Sequence, residues 1–96
     1  MGVYVVMSKL TQEGRKTLKG RPERLKEVNR EITRMGAKVI DQYALLGRYD
    51  FMTILEAGEN ETVAKIMVAL GSRGTLETAT ISAIPVEEFL EALKEE

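Results

Sequence analysis

Residues 37–57 read AKVIDQYALLGRYDFMTILEA, and this stretch decides the fold. In its first half Val39, Tyr43 and Leu45 share one parity, and Ile40, Ala44 and Leu46 the other. Phe51 and Leu55 against Met52 and Ile54 repeat the pattern in the second half. A period of two with apolar side chains on both parities describes strands covered on both faces. Two strands are therefore expected, 37–46 and 49–57. The chain reverses at Gly47-Arg48, where glycine supplies the positive φ of a tight hairpin.

Working outward, residues 3–9 are rich in Val and Tyr and predict a first strand, and the Thr-rich, β-branched stretch from Thr75 to Ile84 predicts a fourth. Pro22 suits a first helical residue. Leu25, Val28, Ile32 and Met35 then recur at helical spacing until Gly36. On the outer face of that helix, Glu23 with Lys26, Glu27 with Arg30, and Glu31 with Arg34 are expected as solvated i,i+3 pairs. Glu59–Leu70, carrying Val63, Ile66, Met67 and Leu70, predicts a second helix. Pro85 opens a short acidic helix over 85–95 with Val86, Phe89, Leu90 and Leu93 on its apolar side. Residues 11–21, broken by Gly14 and Gly20, are expected as a connection of one or two turns.

The order β, α, β, β, α, β with a terminal helix defines an α+β, ferredoxin-like plan: a four-stranded antiparallel sheet with helices on one face. The other face would be open, yet the strands carry apolar residues on both parities. Such a face predicts an interface, met by packing two copies sheet against sheet as a dimeric α+β barrel with a space between them.

The chain has 96 residues, 44% of them hydrophobic and 30% charged, which fits one domain over 1–96 with its core in 3–84. Fourteen basic residues nearly balance fifteen acidic ones, so no bulk electrostatic partner is expected. Without Cys, His or Trp the chain cannot build a disulfide, a thiolate nucleophile, a Ser-His-Asp triad or an ordinary zinc site. No metal and no cofactor is expected, and catalysis is disfavoured. The apolar start from Met1 to Met7 lacks a basic leader and a cleavage site, and nothing approaches a membrane span, so a cytoplasmic location is expected.

Two local charge clusters stand out. Residues 9–26 hold seven basic against two acidic side chains, and residues 87–96 five acidic against one basic. The basic stretch has no aromatic residue to stack a base, which argues against nucleic acid, and pairing of the two ends within or between subunits is the simpler use.

Several of these residues, taken together, resemble a known family. Leu10-Thr11-x-x-Gly14, Arg24, Gly47-x-Tyr49-Asp50 and Gly74-x-x-x-Thr78-x-Thr80 look like the GYD family over about residues 3–84. The resemblance implies the fold and a dimeric α+β barrel assembly, but no assigned chemistry. The stretch from Gly47 to Ile84 is also similar to the effector-sensing module of the leucine-responsive regulators (Lrp/AsnC), although the DNA-binding helix-turn-helix of those regulators is missing here. The acidic helix after Pro85 extends beyond the expected GYD core.

Candidate ligand contacts are Tyr4, Arg24, Asp41, Tyr43, Arg48, Tyr49, Asp50 and Thr80, with Gln42 and Thr78 as further polar members of the open sheet face. Aromatic walls with a few polar groups describe a small-molecule pocket, and a buried Asp41 or Gln42 would need Arg24 or Arg48 as partner. For Gly47–Asp50 the competing use is structural, since Asp accepts backbone N–H bonds at turns. The leading expectation is a non-catalytic homo-oligomeric module that takes a small ligand between subunits. Its rivals are a cofactor-independent barrel enzyme of oxygenase or isomerase type, with Tyr43, Tyr49, Asp41 or Asp50 as acid and base, and a ligand-sensing partner of a separate transcription regulator.

Overall fold

The computed structural model describes residues 2–95. Its elements are β1 (Gly2–Leu10), α1 (Gln12–Gly20), α2 (Arg24–Arg34), β2 (Ala37–Ala44), β3 (Phe51–Ala57), α3 (Asn60–Gly71), β4 (Leu76–Ala83) and α4 (Val86–Lys94). The strands form one sheet in the order β2-β3-β1-β4, with every neighbouring pair antiparallel. This is the α+β, ferredoxin-like architecture that the alternation of patterns predicts.

Leu55 of β3 and Ile66 of α3 are fully buried at the centre. Tyr4 and Val6 of β1, Ile32 of α2, Ala37 and Ala57, and Val63 and Leu70 of α3 surround them. Tyr4 pairs with Leu55 and Val6 with Thr53 across β1 and β3, so the even residues of β1 and the odd residues of β3 face the helices. The opposite parity, Val5 beside Ile54 and Ile81, and Met7 beside Met52 and Ala79, forms the other sheet face.

Residues 12–20 form a helix rather than a bare connection. Thr11 is extended, and its hydroxyl caps the first turn by accepting the Gly14 N–H at 3.1 Å. Gly14 does not interrupt the helix; it is the buried point of contact. A Cβ at this position would lie 2.1 Å from the Thr75 carbonyl oxygen, so only glycine lets α1 approach the start of β4 this closely.

The turn between β2 and β3 is wider than a two-residue hairpin. The strands end at Ala44 and resume at Phe51, and the loop is closed by the Leu45 N–H donating to the Asp50 carbonyl at 2.8 Å. Gly47 at φ +106° supplies the left-handed residue. A bulge between Val39 and Asp41 shifts the register of β2 against β3 and reverses the parity beyond it. Gln42 thereby joins Ala37 and Val39 on the helix side, while Asp41 and Tyr43 turn to the open face.

Ion pairing on α2 also differs from the simple i,i+3 series. Glu27 binds Arg21 and Arg24, and Glu31 binds Arg24 and Arg73. The helix draws on residues before its first turn and beyond the end of α3 in place of Arg30 and Arg34.

Candidate functional site

Two of the three motifs noted in the sequence meet at one end of the sheet, together with the start of the third. The Asp50 carboxylate accepts the Leu10 N–H at 2.8 Å, and the Asp50 N–H donates to the Ser8 carbonyl at 2.8 Å. Next in the chain, the Thr11 hydroxyl donates to the Gly74 carbonyl at 2.7 Å and the Thr11 N–H to the Thr75 carbonyl at 3.0 Å. Leu10-Thr11-x-x-Gly14, the Gly47–Asp50 element and Gly74 therefore clamp the β2–β3 loop and the α3–β4 loop onto the end of β1. Asp50 thus has a structural use at the turn, through one of its two carboxylate oxygens.

Behind this clamp, between the helices and the sheet, lies a cavity of about 160 Å³. Its walls are apolar, with Val28 and Ile32 from α2, Leu55 from β3, and Met67 and Leu70 from α3. Polar groups enter at two places. Ser8, Gln42, Thr53 and Asn29 line one side, where Gln42 Nε2 donates to Thr53 Oγ1 at 2.9 Å and Asn29 Nδ2 donates to Gln42 Oε1 at 2.8 Å. Arg24 and Arg73 line the other. The two guanidiniums converge on Glu31: Arg73 Nη1 and Arg24 Nη1 donate to Oε1 at 3.1 and 3.3 Å, and Arg73 Nη2 donates to Oε2. The hydrogen bond from Arg73 is the main force holding the Glu31 carboxyl below its ordinary range. The charges of Arg73 and Arg24 add to it, while partial burial acts in the opposite sense.

The candidate residues are distributed over three places. Arg24 lies at the cavity. Asp41 and Tyr43 lie exposed on the open sheet face, and Tyr49, Asp50 and the exposed Arg48 belong to the β2–β3 loop. Tyr4, Thr78 and Thr80 face the helix side, not the open face, since they share the parity of Val6 in the β1–β4 register. The Tyr4 hydroxyl donates to Asn60 at the start of α3, and Thr80 lies beside it along the α3–β4 groove. Gln42 finds its partners in Asn29 and Thr53, not in Arg24 or Arg48. Glu31 and Arg73 were not among the candidates. Arg24, Val28 and Glu31 lie on one helical stripe, a signal present in the sequence, whereas the approach of Arg73 depends on tertiary structure. Among the described residues no group of acidic side chains comes together as a metal site, and no helix is long and apolar enough to cross a membrane.

A second feature is the helix at the end of the chain. α4 has no extensive packing against any other element, and the molecule is drawn out to 52 × 29 × 19 Å. Its apolar side is bare: Val86, Phe89, Leu90 and Leu93 are 67%, 49%, 43% and 53% exposed.

A four-stranded antiparallel sheet whose Gly-x-Tyr-Asp turn is clamped to β1 defines a small α+β domain of a known kind. The chain belongs to the GYD domain family, whose model matches residues 4–93. The match runs through α4, so this helix lies within the family's span rather than beyond it. The chain is 47% identical over 95 residues to the glutamine synthetase and cystathionine beta-lyase binding protein of Thermus thermophilus, covering 98% of this chain and 100% of that protein. Among solved structures it is similar to MtbAldR, with a TM-score of 0.65 and 20% identity over 88% of this chain and 52% of the other. It therefore spans about half the length of that protein. It is also similar to TTHA0845 from Thermus thermophilus, with a TM-score of 0.56 and 18% identity over 88% of this chain and 95% of the other. FFRP-DM1 matches with a TM-score of 0.54 and 20% identity, over 88% of this chain and all of the other. At these identities the structures share the fold.

Proposed function

We propose that this chain is a non-catalytic binding module, acting as one domain, that associates with itself through the open sheet face and presents α4 to a protein partner. The observation that carries this reading is α4. A helix with an apolar stripe is held in place by burying that stripe, and here four large apolar side chains are left uncovered by the chain's own fold. The open sheet face, with Ile81 57% and Tyr43 51% exposed, supports packing of a second copy as a dimeric α+β barrel. Glutamine synthetase and cystathionine beta-lyase, which the Thermus relative is named for binding, are the first partners to test.

The four residues weighed as acid and base for the enzyme reading fall in two places: Tyr49 and Asp50, whose carboxylate accepts the Leu10 N–H, in the β2–β3 loop, and Asp41 and Tyr43 on the open sheet face. Native mass spectrometry of the protein, alone and mixed with each of the two enzymes from the same source, tests the proposal. A dimer or larger multiple that forms a complex with at least one enzyme is expected. A monomer that binds neither enzyme overturns it.

A further inference from the structure

We propose that the cavity beneath Arg24 and Arg73 binds a small carboxylic acid with an apolar body. The volume sets the size of the body. At about 160 Å³ the space compares with the roughly 150 Å³ engineered apolar cavity that admits benzene. Val28, Ile32, Leu55 and Leu70 give it walls that favour hydrocarbon over water.

The charged end is set by the mouth. Arg24 and Arg73 converge on one carboxylate, that of Glu31, so the fold already holds two guanidiniums around a carboxylate position. Arg73 uses both of its Nη atoms on Glu31, whereas Arg24 donates only from Nη1, to Glu27 and Glu31. A guanidinium has five N–H donors, so the Nη2 and Nε donors of Arg24 remain open to an acid entering the cavity. A second anchor lies inside. Ser8 is only 7% exposed and lines the cavity, which adds a hydroxyl to its walls. With Gln42, Thr53 and Asn29 beside it, that hydroxyl belongs to the polar side of the cavity, where a polar atom of a ligand is accommodated. This cavity lies inside one chain, so it is separate from the sheet face and from α4, where self-association and protein binding are proposed.

The test is a titration of the full chain with benzoate, followed by methyl NMR, with benzyl alcohol as the uncharged analogue. Benzoate is expected to shift the methyl resonances of Val28, Ile32, Leu55 and Leu70 and to bind more tightly than benzyl alcohol. Arg24→Gln should weaken benzoate by about tenfold and leave benzyl alcohol little changed. Glu31→Gln removes the internal carboxylate that competes for the two arginines and should tighten benzoate, a gain that a merely damaged fold does not produce. Equal binding of benzoate and benzyl alcohol, or no tightening in Glu31→Gln, overturns the acid recognition. Shifts absent from the cavity methyls, or confined to Val5, Ile54 and Ile81 on the open face, overturn the site.

Discussion

The Asp50 carboxylate accepts the Leu10 backbone N–H at 2.8 Å, tying the loop between β2 and β3 to the last residue of β1. Leu10 ends its strand here, and its N–H would otherwise face a partly buried site without a partner. The conspicuous acid of the Gly-x-Tyr-Asp element therefore serves the backbone through its Oδ2. Asp50→Ala is expected to destabilise the fold by about 1–3 kcal/mol, while Asp50→Asn, which keeps an acceptor oxygen, should lose less. Urea denaturation of the two variants side by side checks the order.

Gly14 gives a sharper contrast. A Cβ placed on it meets the Thr75 carbonyl oxygen at 2.1 Å, and that backbone is fixed by its bond from the Thr11 N–H. Gly14→Ala should cost on the order of 1–3 kcal/mol, as overpacking does elsewhere. Gly20, in the same helix, has nothing within 4 Å of its virtual Cβ. Gly20→Ala should be neutral or stabilising by up to about 1 kcal/mol from helix propensity. Thermal melts of the two glycine variants should move in opposite directions, or the second not at all.

These two glycines also explain what could be read in advance. The strands and the helices α2, α3 and α4 follow from periodicity, because their apolar residues repeat at spacings of two or three to four. α1 does not, since both of its glycines read locally as breaks, and the reason for Gly14 lies in Thr75, sixty-one residues away in the chain. The site was less legible than the fold. The bulge between Val39 and Asp41 exchanges the faces of Gln42 and Tyr43, a single-residue event that alternation does not register. Arg24 was a visible candidate, but its role at the cavity rests on Glu31 and on Arg73 brought in from the α3–β4 loop.

The cluster at the cavity mouth makes stability depend on pH in a defined direction. Glu31 is held below its ordinary value of about 4.5, chiefly by its hydrogen bond from Arg73. A carboxyl whose pKa is depressed by folding contributes stability that is present above the unfolded value and is lost as pH falls through the folded one. The wild type should therefore be more stable than Glu31→Gln at neutral pH. The difference should shrink only when pH drops below about 4.5, and then disappear. Melting curves of both proteins across the acid range measure the gap. A gap that narrows above that window, or one that does not narrow, would mean that another group carries the dependence.

α4 separates the stability of the chain from its associations. Phe89 and Leu93 are 49% and 53% exposed, and the helix lies apart from the core built around Leu55 and Ile66. Placing charges on it removes little burial from the isolated chain, so Phe89→Glu with Leu93→Glu should change the stability of a single chain by no more than about 1 kcal/mol. Any partner that buries this stripe would then have to bury two carboxylates, a desolvation cost large enough to abolish the contact. Circular dichroism is expected to report an unchanged fold. Native mass spectrometry decides what the stripe meets. Loss of the enzyme complex with retention of the homo-oligomer assigns α4 to the protein partner, whereas collapse to monomer assigns it to contact between copies of this chain and leaves the sheet face insufficient alone. Retention of both would show that α4 serves neither contact, and the binding proposal built on it would fall.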